Sequence, residues 1–476
     1  MKFIKITISF TVKYTKEGVD FMFPKDVVTA TSLDSLLFSI SLLGLLIFIG
    51  TILRLKVGIF KRLFIPASLI AGALGIILGQ YGLGILPKEI TDTWGALPGR
   101  LITVVFAPML MGMEIPNVKK VWNKIAPQLY FSYIGDFIQI AIPFLISALI
   151  LEPIWKVNVM FASIVEIGWA GGHGTAGGMI DVFNAMNWPD GGDLGLTSAT
   201  VGLFMGIVGG MTIINYGVRK GYTSVLKSED QIKGDIKGDI IPHSRRKANS
   251  MGTLNNDIVE SYAFHLALIG IAILIGWIMQ ALIENYIGIE MPLFPMAMIG
   301  GLIVQLLISK TEFNEAVDPQ TFQRIQGMAL DFLIASAVAS ISIPVVVKYG
   351  IPFLILMVIS AVLLLFFFFW AGPRMFRTNW FENAIVNYGF LSGVAAVGLM
   401  LLRVSDPHME TEAGESFALR TPLFEPLLGG GLITSLLPVF AVKYGSLKVG
   451  IAFLILSILG LILAKVTGFW NNTEKA

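Results

Sequence analysis

The sequence contains no cysteine, only four histidines and few charged residues. Without cysteine the chain forms neither disulfides nor thiolate metal sites. The cysteine count therefore does not indicate whether the protein's compartment is oxidising or reducing. The histidines lie far apart and no His-Glu-x-x-His pattern occurs, which argues against a metalloprotease site. No Gly-Lys dipeptide occurs, and this excludes a Walker A loop and an ATP-driven pump of that type. A formal net charge of +2 gives no reason to expect a nucleic-acid partner.

Apolar residues dominate what is present. Of 476 residues, 55% are hydrophobic and 14% are charged, and the mean hydropathy is +0.76. Many apolar runs are long enough to cross a lipid bilayer, so the sequence predicts an all-α membrane protein with many spans. The predicted spans are 36–53, 64–81, 101–113, 126–151, 157–183 (broken), 194–216, 262–283, 292–308, 328–347, 352–370, 381–402 (broken), 423–442 and 449–466.

Differences in polarity divide the chain into segments. Residues 219–258 are too polar to form a core and are predicted to link two membrane halves, 32–218 and 259–443. Residues 1–31 carry repeated lysines, which favour an interfacial or flexible extension over a signal peptide. Residues 444–476 are predicted to form one extra transmembrane helix and a tail.

Three short matches, in the same order in both halves, indicate an internal repeat. The paired stretches are 64–72 with 293–301, 114–120 with 342–348, and 165–172 with 386–393. The last pair places the two broken segments at corresponding positions. Gly72 and Gly301 also correspond, and glycine in an apolar helix usually permits close contact with a neighbouring helix.

The distribution of basic residues predicts the topology. Lysine and arginine cluster after the first and third spans, in the central linker and at Arg374 and Arg377, whereas connections 86–94 and 283–291 carry few. By the positive-inside rule the central linker is cytoplasmic and the N-terminus lies outside. If each broken segment enters and returns on one side, each half crosses an odd number of times and the halves are inverted. The predicted fold is therefore two inverted five-helix repeats, each with a re-entrant glycine-rich hairpin, plus the extra C-terminal helix.

The stretch 166–179 is the least helix-like part of any predicted span. It contains six glycines together with a carboxylate, an imidazole and a hydroxyl. Each glycine costs a helix roughly 1 kcal/mol relative to alanine, and irregular backbone at membrane depth persists only where protein or a water-filled cavity satisfies it. We therefore expect Gly171, Gly172 and Gly174 to form a turn whose backbone amides approach an anionic ligand.

Polar side chains beside the two breaks are candidate binding groups, each with a structural alternative. Thr175 either offers its oxygen to substrate or Na⁺ or satisfies its own backbone. His173 either hydrogen-bonds a substrate carboxylate or titrates, or else it makes a structural hydrogen bond inside the hairpin. Ser392 and Gly393 take the corresponding place in the second broken segment and are assigned to the substrate as well.

Ionisable residues in apolar stretches are the candidate ion-binding groups. Glu166 and Asn387 match across the repeat and either coordinate a cation or brace the turns. Asp136 and Asp331 are candidate sodium or proton carboxylates, or else partners of a buried cation or a hairpin amide. Arg403 either forms a bidentate contact with a substrate carboxylate or marks the membrane interface.

The string Gly171-Gly-His-Gly-Thr-Ala176, preceded at a distance by Lys61-Arg-Leu-Phe-Ile-Pro-Ala-Ser-Leu-Ile-Ala-Gly72, resembles the bacterial sodium/glutamate symporter family. Thinner similarity extends over roughly residues 33–443 through the paired-half plan. The resemblance implies sodium-coupled uptake of glutamate, Na⁺ as the transported coupling ion, a homodimer, and a place in the (inner) cell membrane of a prokaryote. Gly389-Phe-Leu-Ser-Gly-Val-Ala-Ala-Val-Gly398 departs from the family, because apolar residues stand between its glycines.

The sequence thus predicts a secondary active transporter, not an enzyme, for glutamate or a related amino-acid or dicarboxylate anion. The alternatives are a symporter or exchanger for another organic anion, including a proton-coupled one, and a transporter-derived channel or sensor. A channel needs a symmetric filter or a charged ring, and an intramembrane enzyme needs a partner for Ser392; neither is visible. Asp181 and Glu425 lie near span ends and are predicted to be solvated.

Overall fold

A computed structural model describes residues 28–62, 65–113, 118–226, 240, 243, 246, 248, 250–255, 257–287, 291–407 and 409–470. Throughout these ranges the secondary structure is helical, and no strand occurs. The predicted extension 1–31 and linker 219–258 lie largely outside the described residues. So does part of the repeat match at 114–120.

The first half contains eleven helices within the described ranges. They are α1 Ala30–Lys56, α2 Gly58–Arg62, α3 Ala67–Leu78, α4 Lys88–Ala96, α5 Pro98–Phe106, α6 Val118–Ile146, α7 Glu152–Trp155, α8 Ser163–Gly168, α9 Gly172–Gly178, α10 Ile180–Ala185 and α11 Asp190–Lys220. A π-helical turn, Ser147–Leu151, joins α6 to α7.

The second half and the C-terminal segment contain nine further α-helices within the described ranges. They are α12 Ser261–Ile287, α13 Leu293–Ile308, α14 Pro319–Ala339, α15 Ile343–Lys348, α16 Gly350–Met375, α17 Trp380–Ser405, α18 Ala413–Phe424, α19 Leu432–Tyr444 and α20 Ser446–Val466.

Seven helices among the described residues are long and apolar enough to cross a membrane. They are Ala30–Lys56, Val121–Trp155, Asp190–Lys220, Ser261–Tyr286, Gly350–Met375, Trp380–Ser405 and Ser446–Val466. Three apolar helices, α3, α13 and α19, are shorter, at 12 to 16 residues. At 1.5 Å per residue these reach about 18 to 24 Å, less than a bilayer core of about 30 Å. The chain is a multi-pass membrane protein, as the composition predicts.

The predicted span 423–442 is wrong as a single helix. The structure has α18 ending at Phe424 and α19 beginning at Leu432, with Gly429, Gly430 and Gly431 between them. Gly429 and Gly430 have φ of +65° and +100°, which interrupts the helix at a cost that only glycine avoids. We call residues 429–431 the glycine turn.

The predicted span 328–347 is also divided. Helix α14 ends at Ala339, and α15 begins at Ile343 with Pro344 in its first turn. A proline fits the first turn of a new helix but not the interior of a continuous one.

Close helix packing joins the two halves at equivalent points. A Cβ placed on Gly72 of α3 would lie 2.5 Å from Val338 Cβ of α14. At the matching position, a Cβ on Gly301 of α13 would strike the carbonyl oxygen of Ala107, directly after α5. Both glycines therefore permit helix contact, as expected, and each contact is with the other half of the chain.

Gly301→Ala tests this packing. The added methyl group meets a backbone carbonyl that cannot rotate away, and overpacking of this kind costs about 1–3 kcal/mol. We expect a lower melting temperature for the purified variant in detergent.

Gly270→Ala is the matched control, because a Cβ at Gly270 of α12 meets nothing within 4 Å. This variant keeps or slightly raises the melting temperature, since alanine favours a helix by about 0.5–1 kcal/mol. Equal melting temperatures for both variants would contradict the close contact at Gly301.

Candidate functional site

The first broken segment, predicted at 157–183, folds back on itself over residues 163–185. Helix α8 ends at Gly168 and α9 begins at Gly172, whose φ is +68°. Ile167 Cγ2 and Ala176 Cα both lie 4.0 Å from a Cβ placed on Gly195 of α11. In a continuous helix two residues nine apart are separated by about 13.5 Å. The two arms therefore lie side by side, and we call this segment the first hairpin.

The second broken segment, α17, also folds back. Its backbone leaves the helical region at Gly393 and Val394. A Cβ placed on Gly389 would lie 2.6 Å from Gly398 Cα, although these residues are nine apart in sequence. Val394 has a φ of +62°, which is rare for a β-branched residue and marks a strained turn. We call α17 the second hairpin.

Helix α11 carries both hairpins along one row of glycines. The base of the first hairpin, at Phe183, contacts Gly191, and the base of the second, at Phe381, contacts Gly217. Midway, a Cβ on Gly202 would lie 2.7 Å from Trp169 Cδ1 and 2.5 Å from the Ser392 carbonyl oxygen. The hairpins thus approach from opposite ends of α11, and their tips meet near its middle.

The two tips also touch each other directly. A Cβ placed on Gly172 would lie 2.5 Å from Val394 Cγ1. Gly172 therefore has two reasons to be glycine: its positive φ and the side chain that faces it.

An acidic pair, Asp136 of α6 and Glu166 of α8, is buried beside the tips. The two carboxyl groups face each other within interaction range. Within the described chain, Asp136 Oδ1, Asp136 Oδ2 and Glu166 Oε2 receive no hydrogen bond. Two carboxylates only accept hydrogen bonds, so their contact is favourable only with a proton or a cation between them.

The glycine turn closes one side of this pair. Glu166 Oε1 accepts hydrogen bonds from the Gly429 amide at 3.2 Å and from Thr434 Oγ1 at 2.9 Å. Thr175 Oγ1 lies against Gly430 and has no hydrogen-bond partner among the described residues. Two hydroxyl groups, Thr175 of the first half and Thr434 of the second, thus lie at the glycine turn that holds Glu166.

Arg420 of α18 is the nearby buried cation that the sequence analysis missed. It is 0% exposed and interacts electrostatically with Asp136 and Glu425. Glu425 was predicted to be solvated, and this is wrong: it is 7% exposed, because the interrupted helix brings it inward with Arg420. Asp181 is exposed, as predicted, and pairs with Arg100.

Asn387 braces the second hairpin rather than facing the acidic pair. Its Nδ2 donates to Gln128 Oε1, and its Oδ1 accepts from Ser132 Oγ at 2.7 Å. Gln128 Nε2 donates in turn to Asn383 Oδ1 at 2.7 Å. This ladder fastens α17 to α6 and leaves the Asn387 amide satisfied, which favours the bracing alternative.

His173 and Ser392 are held by local hydrogen bonds. Thr200 Oγ1 donates to the Leu196 carbonyl, so it accepts from His173 Nε2 at 2.9 Å. Ser392 Oγ donates to the Tyr388 carbonyl at 2.7 Å. Both side chains are buried at the tips, but neither contacts the acidic pair through these bonds.

The remaining candidates divide between the tips and the surface. Gly171 lies in the turn of the first hairpin, and Gly174 packs against Ile102 of α5, where a Cβ would lie 2.6 Å from Ile102 Cδ1. Arg403 and Asp331 are exposed on α17 and α14 and lie outside the buried cluster.

Two sequence signals could have identified the missed residues. Three consecutive glycines at 429–431 follow Pro426 within an apolar run, which predicts a break. Phe417 and Phe424 lie three residues before and four residues after Arg420, so a helix places both rings on the arginine's face.

Two comparisons relate this chain to known proteins, and a third finds no match. The structure is similar to that of the sodium proton antiporter MjNhaP1 from Methanocaldococcus jannaschii, with 16% sequence identity, a TM-score of 0.37, and coverage of 90% of this chain and 99% of that chain. A search of curated proteins gives no match. The family model described as sodium/glutamate symporter matches residues 32–397. The chain therefore belongs to the sodium/glutamate symporter family, and it is a membrane transporter.

Proposed function

We propose that the protein couples a sodium gradient to uptake of glutamate, or of a related amino-acid or dicarboxylate anion, by alternating access. The observation that carries this proposal is the meeting of two hairpin tips beside a buried acidic pair. Irregular backbone and uncompensated carboxylates are both costly inside a membrane, and together they indicate an ion and substrate pathway.

The domain organisation belongs to the same proposal. Residues 32–218 and 259–443 form two inverted repeats, and the hairpins are re-entrant from opposite membrane faces. Their approach from opposite ends of α11 supports this arrangement. Residues 1–31 are an extension, 219–258 a cytoplasmic linker, and 444–476 an extra helix and tail in an inner-membrane protein whose N-terminus lies outside.

Sodium binds at the acidic pair in this proposal. The described residues contain no group of three or more His, Asp or Glu side chains suited to a metal ion. A cation at Asp136 and Glu166 therefore completes its shell with neutral oxygens, and the hydroxyls of Thr175 and Thr434 beside the glycine turn are the candidates. Oxygen ligands of this kind suit a hard cation.

The substrate lies at the hairpin tips. In this proposal the anion is bound by backbone groups at Gly171, Gly172, Gly174 and Gly393 and by the side chains of His173 and Ser392, all of which belong to the two hairpins. Sodium offsets part of the negative charge that the anion and the acidic pair bring together. Transport is coupled because the charged intermediate states are costly to move through lipid.

A proton-coupled transporter of an organic anion is the second candidate. One observation favours it: two facing carboxyl groups can share a single proton as readily as they hold a cation.

A homodimer, implied by the family resemblance, completes the proposal. Native mass spectrometry in detergent tests it against the chain mass of 51.8 kDa.

Reconstitution into liposomes tests the function. Accumulation of labelled glutamate that requires an inward Na⁺ gradient supports the proposal. Accumulation driven only by a pH gradient supports the proton-coupled alternative, and downhill leak alone supports a channel. A panel of amino and dicarboxylic acids in the same assay identifies the preferred anion.

Asp136→Asn and Glu166→Gln test the ion site. Each removes a negative charge that the cation needs, so we expect Na⁺-driven uptake to fall at least about tenfold, as for loss of one charged partner in a buried site. The measurement is the uptake rate as a function of Na⁺ concentration. Glu284→Gln, at an exposed residue of α12, is the control and keeps the wild-type response. Unchanged Na⁺ activation in both site variants would show that the cation binds elsewhere.

Gly172→Ala tests the tips. A side chain at positive φ costs about 1–2 kcal/mol, and the new methyl group also meets Val394 Cγ1. We expect uptake to be largely lost while the protein still elutes as a single species in detergent. Val394→Gly in the same chain removes the collision but not the φ cost, so the double variant recovers part of the uptake. Full activity of Gly172→Ala alone would argue that this turn is not part of the pathway.

A further inference from the structure

Arg420 is buried without satisfying its guanidinium group. Its exposed fraction is 0%, and Nε, Nη1 and Nη2 have no hydrogen-bond partner among the described residues. A buried charge of this kind is normally paired and hydrogen-bonded, because its transfer out of water is very costly. The guanidinium therefore has donors that no described residue accepts.

Three phenylalanine rings form an aromatic cage around the guanidinium. Its Cζ lies 4.4 Å from the ring centre of Phe390, 4.2 Å from that of Phe417 and 4.6 Å from that of Phe424. Ring faces offset part of the desolvation of the cation. They cannot accept hydrogen bonds from the five N–H groups, which point outward in the guanidinium plane. The aromatic cage thus holds the charge in place and leaves its donors available.

The nearest carboxyl groups do not take those donors. Asp136 and Glu425 attract Arg420 electrostatically, but no ion pair within 4.0 Å joins it to any described carboxylate. Asp136 faces Glu166. Glu425 Oε1 is 3.4 Å from Thr421 Oγ1. A free carboxylate is the ligand whose two oxygens match the paired N–H groups of arginine.

The aromatic cage also connects Arg420 to both hairpins. Phe390 belongs to the second hairpin, and a Cβ placed on Gly429 would lie 2.5 Å from Phe390 Cζ. Gly429 in turn donates to Glu166 of the first hairpin. Three successive contacts, Arg420 to Phe390, Phe390 to Gly429 and Gly429 to Glu166, therefore join the arginine to the acidic pair.

We propose that Arg420 binds the side-chain carboxylate of the transported anion, the group that glutamate has and glutamine lacks. This inference rests on the proposed function and deepens it, because it identifies the residue that selects for a carboxylate. Arg403, which the sequence suggested for this role, is exposed outside the cluster. Arg420 also lies beyond residues 32–397, the part that the family model matches, so the assignment comes from this chain's own structure.

The experiment compares Arg420→Gln and Arg420→Lys with the wild type and with Arg324→Gln, a variant of an exposed arginine on α14. The readouts are the KM and maximal rate for glutamate uptake, and the thermal stabilisation of purified protein by glutamate and by glutamine in Na⁺. Loss of a charge-assisted bidentate contact raises KM at least about tenfold in both Arg420 variants. In Arg420→Gln the preference for glutamate over glutamine falls by a similar factor.

This change in preference separates binding from a structural role, since a merely weakened fold would reduce stabilisation by both compounds alike. Wild-type KM and unchanged preference in a folded Arg420→Gln protein would overturn the inference. If neither variant folds, the thermal stabilisation of the wild type is the deciding measurement. The inference then requires that dicarboxylates stabilise the wild type more than their amides and esters do. Equal stabilisation by the neutral analogues, or none by any carboxylate, refutes the role of Arg420.

The outcomes also separate this inference from the proposed function. Sodium-driven glutamate uptake that is insensitive to Arg420 leaves the transporter proposal standing and removes the arginine from the site. Absence of sodium-driven uptake in the wild type, with carboxylate stabilisation that still depends on Arg420, removes the coupling proposal and keeps the binding residue.

Discussion

Both hairpins depend on the glycine row of α11. Backbone that leaves the helical path within a bilayer must be covered by protein, because lipid offers no hydrogen bonds. Gly202 allows this at the critical place, where Trp169 and the Ser392 carbonyl oxygen both lie within about 3 Å of its missing side chain. Any larger residue there would separate the tips from the helix that covers them. The position of the site thus follows from a single point of close approach.

Buried charged side chains lie in the space beside the hairpin tips. Asp136, Glu166 and Glu425 are buried with Arg420 as the nearby cation, so acids outnumber bases in the cluster. Unbalanced charge is expensive in a low-dielectric interior and is usually kept for a purpose. In the proposed function the buried acids bind the cation and Arg420 binds the anion, so the cluster offers a group of opposite charge to each.

The sequence predicted the break in the first hairpin, because its glycines are dense enough to stand out within an apolar span. It missed the glycine turn, since a hydropathy window of about 19 residues averages three glycines into their apolar neighbours. Repeat matching was less informative for side chains. The predicted repeat pairs Glu166 with Asn387, yet Glu166 faces another acid and Asn387 is satisfied by Gln128 and Ser132. Likewise, sequence alone could not distinguish the exposed Arg403 from the buried Arg420, because orientation is decided by packing.

The hydrogen bonds that hold Glu166 have a mechanical consequence. Its carboxylate, on the first hairpin, accepts hydrogen bonds from Gly429 and Thr434 of the second half of the chain. Gln128 and Ser132 of α6 form hydrogen bonds with the second hairpin. Neither hairpin can be withdrawn by itself without breaking buried polar contacts. Displacement therefore costs least when the first hairpin moves with the glycine turn and the second hairpin moves with α6.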